Sequence, residues 1–193
     1  MTKATEDWRR SFAARMTAIN SMLDLVVVDL TVDQVNHVER GAVLPIAFSL
    51  SHVVGSQDRS ASRFLAGNAP SLWEIGGWAK KVGLEGAVPF RGTAIDEAER
   101  TRFGDMDAWR EYQHAVFAKT ESALANAPLD LFDRDAFGGE RPDLGKNAFL
   151  GLLVPSGPIR IMDICEAYLF QHAARHLGEI EHARALVGLG GLS

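Results

Sequence analysis

Apolar side chains recur at three- and four-residue steps in four stretches of this chain, and no stretch alternates with period two for long enough to draw a strand. In the first stretch, about 6–28, Trp8, Phe12, Ile19, Met22, Leu23 and Val26 trace a one-sided helix. The second starts at Pro45, a residue tolerated in a first turn, and runs through Ile46, Leu50, Val53, Val54, Ala61, Phe64 and Leu65. A third, 105–126, carries Trp109, Tyr112, Val116, Thr120 and Leu124 and is closed by Pro128. The last, about 159–189, ends near Gly188 and the Gly190-Gly191 pair. Between the first two, Thr31 and Gln34 have the form of a capping box and predict a short turn over 32–37, after which Gly41 breaks the pattern. Residues 66–102 hold Gly67, Pro70, Gly76, Gly77, Gly83, Gly86, Pro89 and Gly92, which predicts loop with short helical pieces. Their Leu72, Trp73, Trp78 and Phe90 are expected to fold back as a lid or packing flap. The expectation is an all-α, antiparallel four-helix bundle with long connecting loops, formed as one domain over 1–193.

Composition narrows the functional classes. With 47% hydrophobic residues in 193 positions, the chain can fill one sizeable core. A formal net charge of -5 and the lack of any basic run leave no footprint for nucleic acid. The uncharged stretch 41–56 is too short to span a bilayer and contains Pro45 and His52, so membrane spanning is not expected. The opening MTKATEDWRR lacks the apolar core of a secretion signal, and the single Cys165 has no intrachain partner. Both features lead to the expectation of a cytoplasmic protein.

The chemistry concentrates in the last helix, where QHAARHLGEIEH places His172 and His176 four residues apart on one face. A wheel of about 100° per residue puts Ile161, Met162, Cys165, Tyr168, Leu169, Ile180, Ala183, Leu186 and Val187 on the same arc, with Asp163, Ala174 and Glu181 opposite. Both imidazoles are thus expected to face inward, where an unsatisfied polar group costs about 1–3 kcal/mol. Two readings stay open: core histidines bonded to Tyr168, Glu179 or a carbonyl, or ligands of one metal ion. A third ligand would come from another helix, and His52 is the foremost candidate. It sits beside Phe48, Ser56, Arg59 and Arg63, off the centre of its helix's apolar arc, so an exposed histidine is the alternative. In the favourable case Ser49, His52, Ser56 and Arg59 line a polar cleft, with Gly55 allowing close approach of a substrate or neighbouring helix. Cys165, two turns before His172, reads as a small core residue.

The placement of SLSHVVGSQDRSASRFL in the second helix and FQHAARHLGEIEHARALVGL in the last resembles the DinB/YfiT-like superfamily of metal-binding four-helix bundles. In that family a histidine on helix two and a His-x-x-x-His on the final helix bind nickel, zinc or another divalent ion. The resemblance implies His52, His172 and His176 as ligands, Gly178, Glu179 and Ile180 as the trailing signature, and frequent homodimers. Trp and Leu side chains of 66–102 would supply such an interface. It further implies a transferase or isomerase using a low-molecular-weight thiol such as bacillithiol or mycothiol on a small-molecule substrate. The mycothiol-dependent maleylpyruvate isomerases look like the same bundle with Glu at the first position of the last-helix pair and an added C-terminal domain. His172 occupies that position here and the chain stops at Ser193, so that isomerase activity is not expected.

Three neutral ligands leave a divalent ion open positions for water or thiol, the arrangement of a catalytic site. Arg59 or Arg175 would place an anionic part of the thiol cofactor, and Glu179 would accept a ligand N–H from behind. The competing classes are a non-catalytic metal-binding or stress-response protein and a metal-dependent hydrolase.

Overall fold

The computed structural model describes residues 3–39, 43–86, 92–145 and 148–192; Gly41, Pro89 and Phe90 lie outside them. The chain is mostly helical, and among the described residues there is no strand, only three isolated bridges. Helix α1, Lys3–Leu25, buries Phe12, Met16, Ile19 and Leu23, a spacing that makes one apolar stripe. The short α2, Val32–Val35, begins with the expected capping box: Thr31 Oγ1 accepts from the Gln34 N–H at 3.2 Å and Gln34 Oε1 from the Thr31 N–H at 3.1 Å. Helix α3, Ile46–Ser60, continues directly into a π-helical turn, Ala61–Leu65.

The segment expected to be a flap forms α4, Leu72–Gly76, α5, Trp78–Val82, and, beyond the undescribed stretch, α6, Ile95–Ala98. Gly77 separates α4 from α5 with φ 62, a left-handed conformation that glycine adopts without a Cβ penalty. This segment packs rather than stands open. Trp73 and Trp78 turn onto Tyr112 with ring centroids 5.0 and 5.5 Å away, and Val82 is fully buried. Its tryptophans pack on the chain's own core, as expected of a packing flap, and stay half-buried.

Helix α7, Met106–Asn126, is started by Asp105, whose carboxylate accepts from the N–H groups of Asp107 and Ala108 at 2.9 and 3.0 Å. A single 3-10 turn, Leu129–Asp133, and the short α8, Phe149–Leu153, lead to the last helical run. That run has three parts: α9, Ile161–Ile164, a π-helical stretch, Cys165–Gln171, and α10, His172–Leu186. Because a π turn holds more residues than an α turn, a wheel drawn at constant pitch drifts across it. Asp163, expected outside, is buried and bonded to Arg160, whereas Leu186, expected inside, is 41% exposed.

Helix α3 packs on α10 and α7, α7 packs on α1, and α1 reaches α10 and the π stretch before it. The core between them is led by Phe12, Met16, Leu50, Trp109, Tyr112 and Ile180, each fully buried. Burying such side chains contributes about 1.5–3 kcal/mol apiece. No helix among the described residues is long and apolar enough to cross a membrane.

Candidate metal centre

The site rests on the packing of α3 against α10. Every residue of α3 is buried except His52, Ser56 and Arg59, which share one face. This is why His52 sat off the apolar arc without being an exposed histidine: the helix is enclosed on nearly all sides, and its polar stripe is the side turned to the site. The His52 ring stacks on Phe48, centroids 5.8 Å apart and planes within 4°. His172 opens α10 and His176 follows one turn later, half-buried and buried respectively.

The three rings converge. Centroid distances are 4.9 Å for His52–His172, 4.8 Å for His52–His176 and 4.5 Å for His172–His176. One ring nitrogen from each lies within 4.8 Å of the others, so the cluster could hold a metal ion. Nε2 of His172 and Nε2 of His52 face each other at 3.1 Å. Two imidazoles sharing an ion at about 2.0–2.1 Å, with angles from octahedral to tetrahedral, would have nitrogens about 2.8–3.4 Å apart. The observed spacing fits that range.

Protonation supports the same reading. Nδ1 of His176 lies 2.6 Å from Glu179 Oε2. A carboxylate only accepts, so Nδ1 carries a proton here, and Nε2 is the ligating atom of the neutral ring. The hydrogen bond from His176, working against burial, holds the Glu179 carboxyl below its ordinary range. Burial first, and then the neighbouring His176 and His52, push His172 down to about 3. Its ring is therefore neutral near pH 7, the form that binds metal. His172 Nδ1 is buried and has no hydrogen-bond partner among the described residues. Three inward-turned imidazoles with a carboxylate behind one of them fit a divalent cation.

The remaining expected residues take different places. Glu179 stands behind His176, as anticipated for an acceptor of a ligand N–H. Arg175 is on the rim, its side chain 69% exposed and its Nε 3.4 Å from Glu179 Oε1. Ser56 is half-buried between His52 and Arg59 on the α3 face, while Ser49 is buried. At Gly55 the atoms nearest to where a Cβ would be belong to the Arg59 guanidinium, with Nη1 at 3.1 Å. Cys165 is a buried core residue whose thiol is pushed up by desolvation. His37 and His114 pair with Glu39 and Asp24, and His182 is exposed.

Sequence reasoning missed one cluster beside the site. Asp58 is fully buried, and its two oxygens accept from the Leu72 and Trp73 N–H groups at 3.0 Å each, from Lys119 Nζ at 3.2 Å and from Tyr112 Oη at 3.2 Å. Lys119 also reaches Ser62 Oγ at 2.5 Å. Burial, with Asp58 adjacent, drives the Tyr112 hydroxyl well above its ordinary range, so it remains a donor. The knot pins α4 to α3 and α7. An acidic residue next to Arg59 inside a helix of apolar periodicity was the available signal.

No protein-family model and no curated protein matches this chain. A solved structure does: a conserved protein from Enterococcus faecalis superposes on 93% of this chain and 96% of its own with a TM-score of 0.71, at 15% identity. The likeness is one of fold. It shows that this all-helical arrangement is shared from end to end and carries no statement about chemistry.

Proposed function

We propose that this chain is an antiparallel four-helix bundle of DinB/YfiT type in which His52, His172 and His176 hold one zinc or nickel ion. Its activity would be transfer of a low-molecular-weight thiol, such as bacillithiol or mycothiol, to a small electrophile. The observation that carries the reading is the approach of His52 and His172 Nε2 to 3.1 Å from segments 120 residues apart, with His176 beside them. A divalent ion on three neutral ligands lowers the pKa of a thiol or water that reaches it, and so supplies a nucleophile at neutral pH. The chain's residues do the rest. Glu179 fixes the His176 tautomer, Phe48 orients the His52 ring, and burial keeps His172 unprotonated. Ser56 and Arg59 line the approach on α3.

Elemental analysis of the purified protein beside His52→Ala and His172→Ala tests the centre. About one ion per chain in the parent and loss in both variants is expected; equal occupancy in all three overturns the ligand set. Thiol consumption with a generic electrophile, in metal-loaded and chelated protein, tests the chemistry. Turnover should require the metal and all three histidines. Metal binding without thiol turnover would make this a non-catalytic metal-binding protein, and an excess of hydrolysed product would make it a hydrolase.

A further inference from the structure

The last helical run changes its winding just before the histidine pair. Residues Cys165–Gln171 are π-helical and pass directly into α10 at His172. A π turn takes up more residues than an α turn, so the stretch holds a surplus residue for the angle it covers. Were the same residues to wind as an α-helix, every side chain after them would rotate by about 100°. His172 and His176 would no longer face His52. Because π geometry is rare and occurs mostly in short pieces, something outside the stretch has to favour it.

Helix α1 supplies that support. Trp8 and Arg15 lie two turns apart on it, and the Glu166 carboxylate bridges them. Its Oε1 accepts from Trp8 Nε1 at 2.8 Å and from Arg15 Nη2 at 2.7 Å, and its Oε2 from Arg15 Nη1 at 3.0 Å. The Arg15 guanidinium also stands 4.8 Å from the centroid of the Phe170 ring. One side chain of α1 thus grips the stretch near its start, at 166, and near its end, at 170. Cys165, Ala167 and Leu169 are buried as well, but apolar burial has no direction and does not by itself select one winding. A carboxylate held by a planar fork and a second donor does fix rotation. Resting on the metal reading above, we infer that Glu166 is a positioning residue of the histidine centre: held by Trp8 and Arg15, it keeps 165–171 π-helical and so turns His172 and His176 toward His52. An ion pair at the far end of α10, Arg184 with Asp29 at 2.6 and 3.0 Å, lies beyond the pair and has no part in this.

The test uses the full chain and cobalt(II), whose visible absorption reports ligand number and geometry, with affinity read by chelator competition. Glu166→Ala and Arg15→Met should each weaken cobalt binding at least about tenfold and alter its spectrum, with helical circular dichroism as in the parent. Glu166→Gln still accepts from both donors and should stay closer to the parent than Glu166→Ala. Asp29→Ala should lower the urea midpoint and leave cobalt affinity unchanged. Deleting residue 166 outright removes the grip and the surplus residue together, so cobalt affinity should recover above that of Glu166→Ala. Parent-like affinity in both Glu166→Ala and Arg15→Met, an equal loss in Asp29→Ala, or a deletion that binds no better than Glu166→Ala would overturn the role of Glu166 while leaving the metal centre standing. Unfolding of both Glu166→Ala and Arg15→Met would reduce the grip to general stability and overturn it likewise. Failure of cobalt to bind the parent would overturn the metal reading, and the positioning role with it.

Discussion

Helix α3 carries two inward-facing polar clusters six residues apart, and they are built to opposite specifications. At Asp58 the account closes: two carboxylate oxygens receive four donors, from the start of α4, from Lys119 and from Tyr112. At the histidine cluster it is thinner: the Nε2 atoms of His52 and His172 meet each other at 3.1 Å, and the His172 Nδ1 is buried without a hydrogen-bond partner among the described residues. Buried polar groups are almost always satisfied, so a completed network marks architecture and an incomplete one marks a place where something else belongs. The difference separates the residues that hold this fold from those proposed to do its chemistry.

The sharpest way to break the comparison is to exchange the expected consequences. Asp58→Ala strands Lys119 and the first N–H groups of α4, and should cost about 3–5 kcal/mol in a urea denaturation series. Metal content per folded chain should stay as in the parent. A loss below about 1 kcal/mol would show that the knot is not structural. The histidine cluster should behave in reverse. Zinc or nickel at a hundred times its dissociation constant should stabilise the parent by about 2.7 kcal/mol and leave His172→Ala unmoved, read as a shift in Tm. An equal shift in both proteins would place the ion elsewhere.

Smaller effects refine the picture. Glu179→Gln keeps an acceptor but removes the charge behind His176, and should weaken metal affinity about 10–100-fold with little change in metal-free stability. Chelator competition measures it, and an unchanged affinity would reduce Glu179 to a surface residue. The metal-free protein should also respond to acid through His172. Its folded value of about 3 lies below the ordinary 6.5, so between those limits the unfolded chain binds a proton that the folded chain refuses. The neutral ring's contribution to stability is complete above pH 6.5 and fades as the pH falls toward 3. Urea curves from pH 7 down to 4.5 should therefore slope less steeply for His172→Gln than for the parent. Parallel slopes would mean that the ring is not desolvated.

The contrast also explains what the sequence could disclose. The stripe of Phe12, Met16, Ile19 and Leu23 was legible because α1 is buried on one side only, and one-sided burial writes itself as periodicity. The His172 and His176 pair was legible for the same local reason. His52 was ambiguous on periodicity alone, because α3 is buried all round and an enclosed helix has no single arc. Asp58 left one local sign, an acidic residue within an apolar helix, but its side-chain partners lie 54 and 61 residues away and no local pattern encodes them. The lapse at Asp163 came from the change of helical pitch at residues 165–171, whereas Leu186 is the last residue of α10.

That change of pitch makes the histidine centre depend on counting as well as on chemistry. A single residue removed from Cys165–Gln171 would be absorbed as the stretch relaxes toward an ordinary α-helix, because six α residues turn through about the same angle as seven π residues. A residue removed between His172 and His176, where the helix is already α, has no such reserve and would turn one ring away from the other by about 100°. The stretch before the pair tolerates a change of length that the pair itself does not.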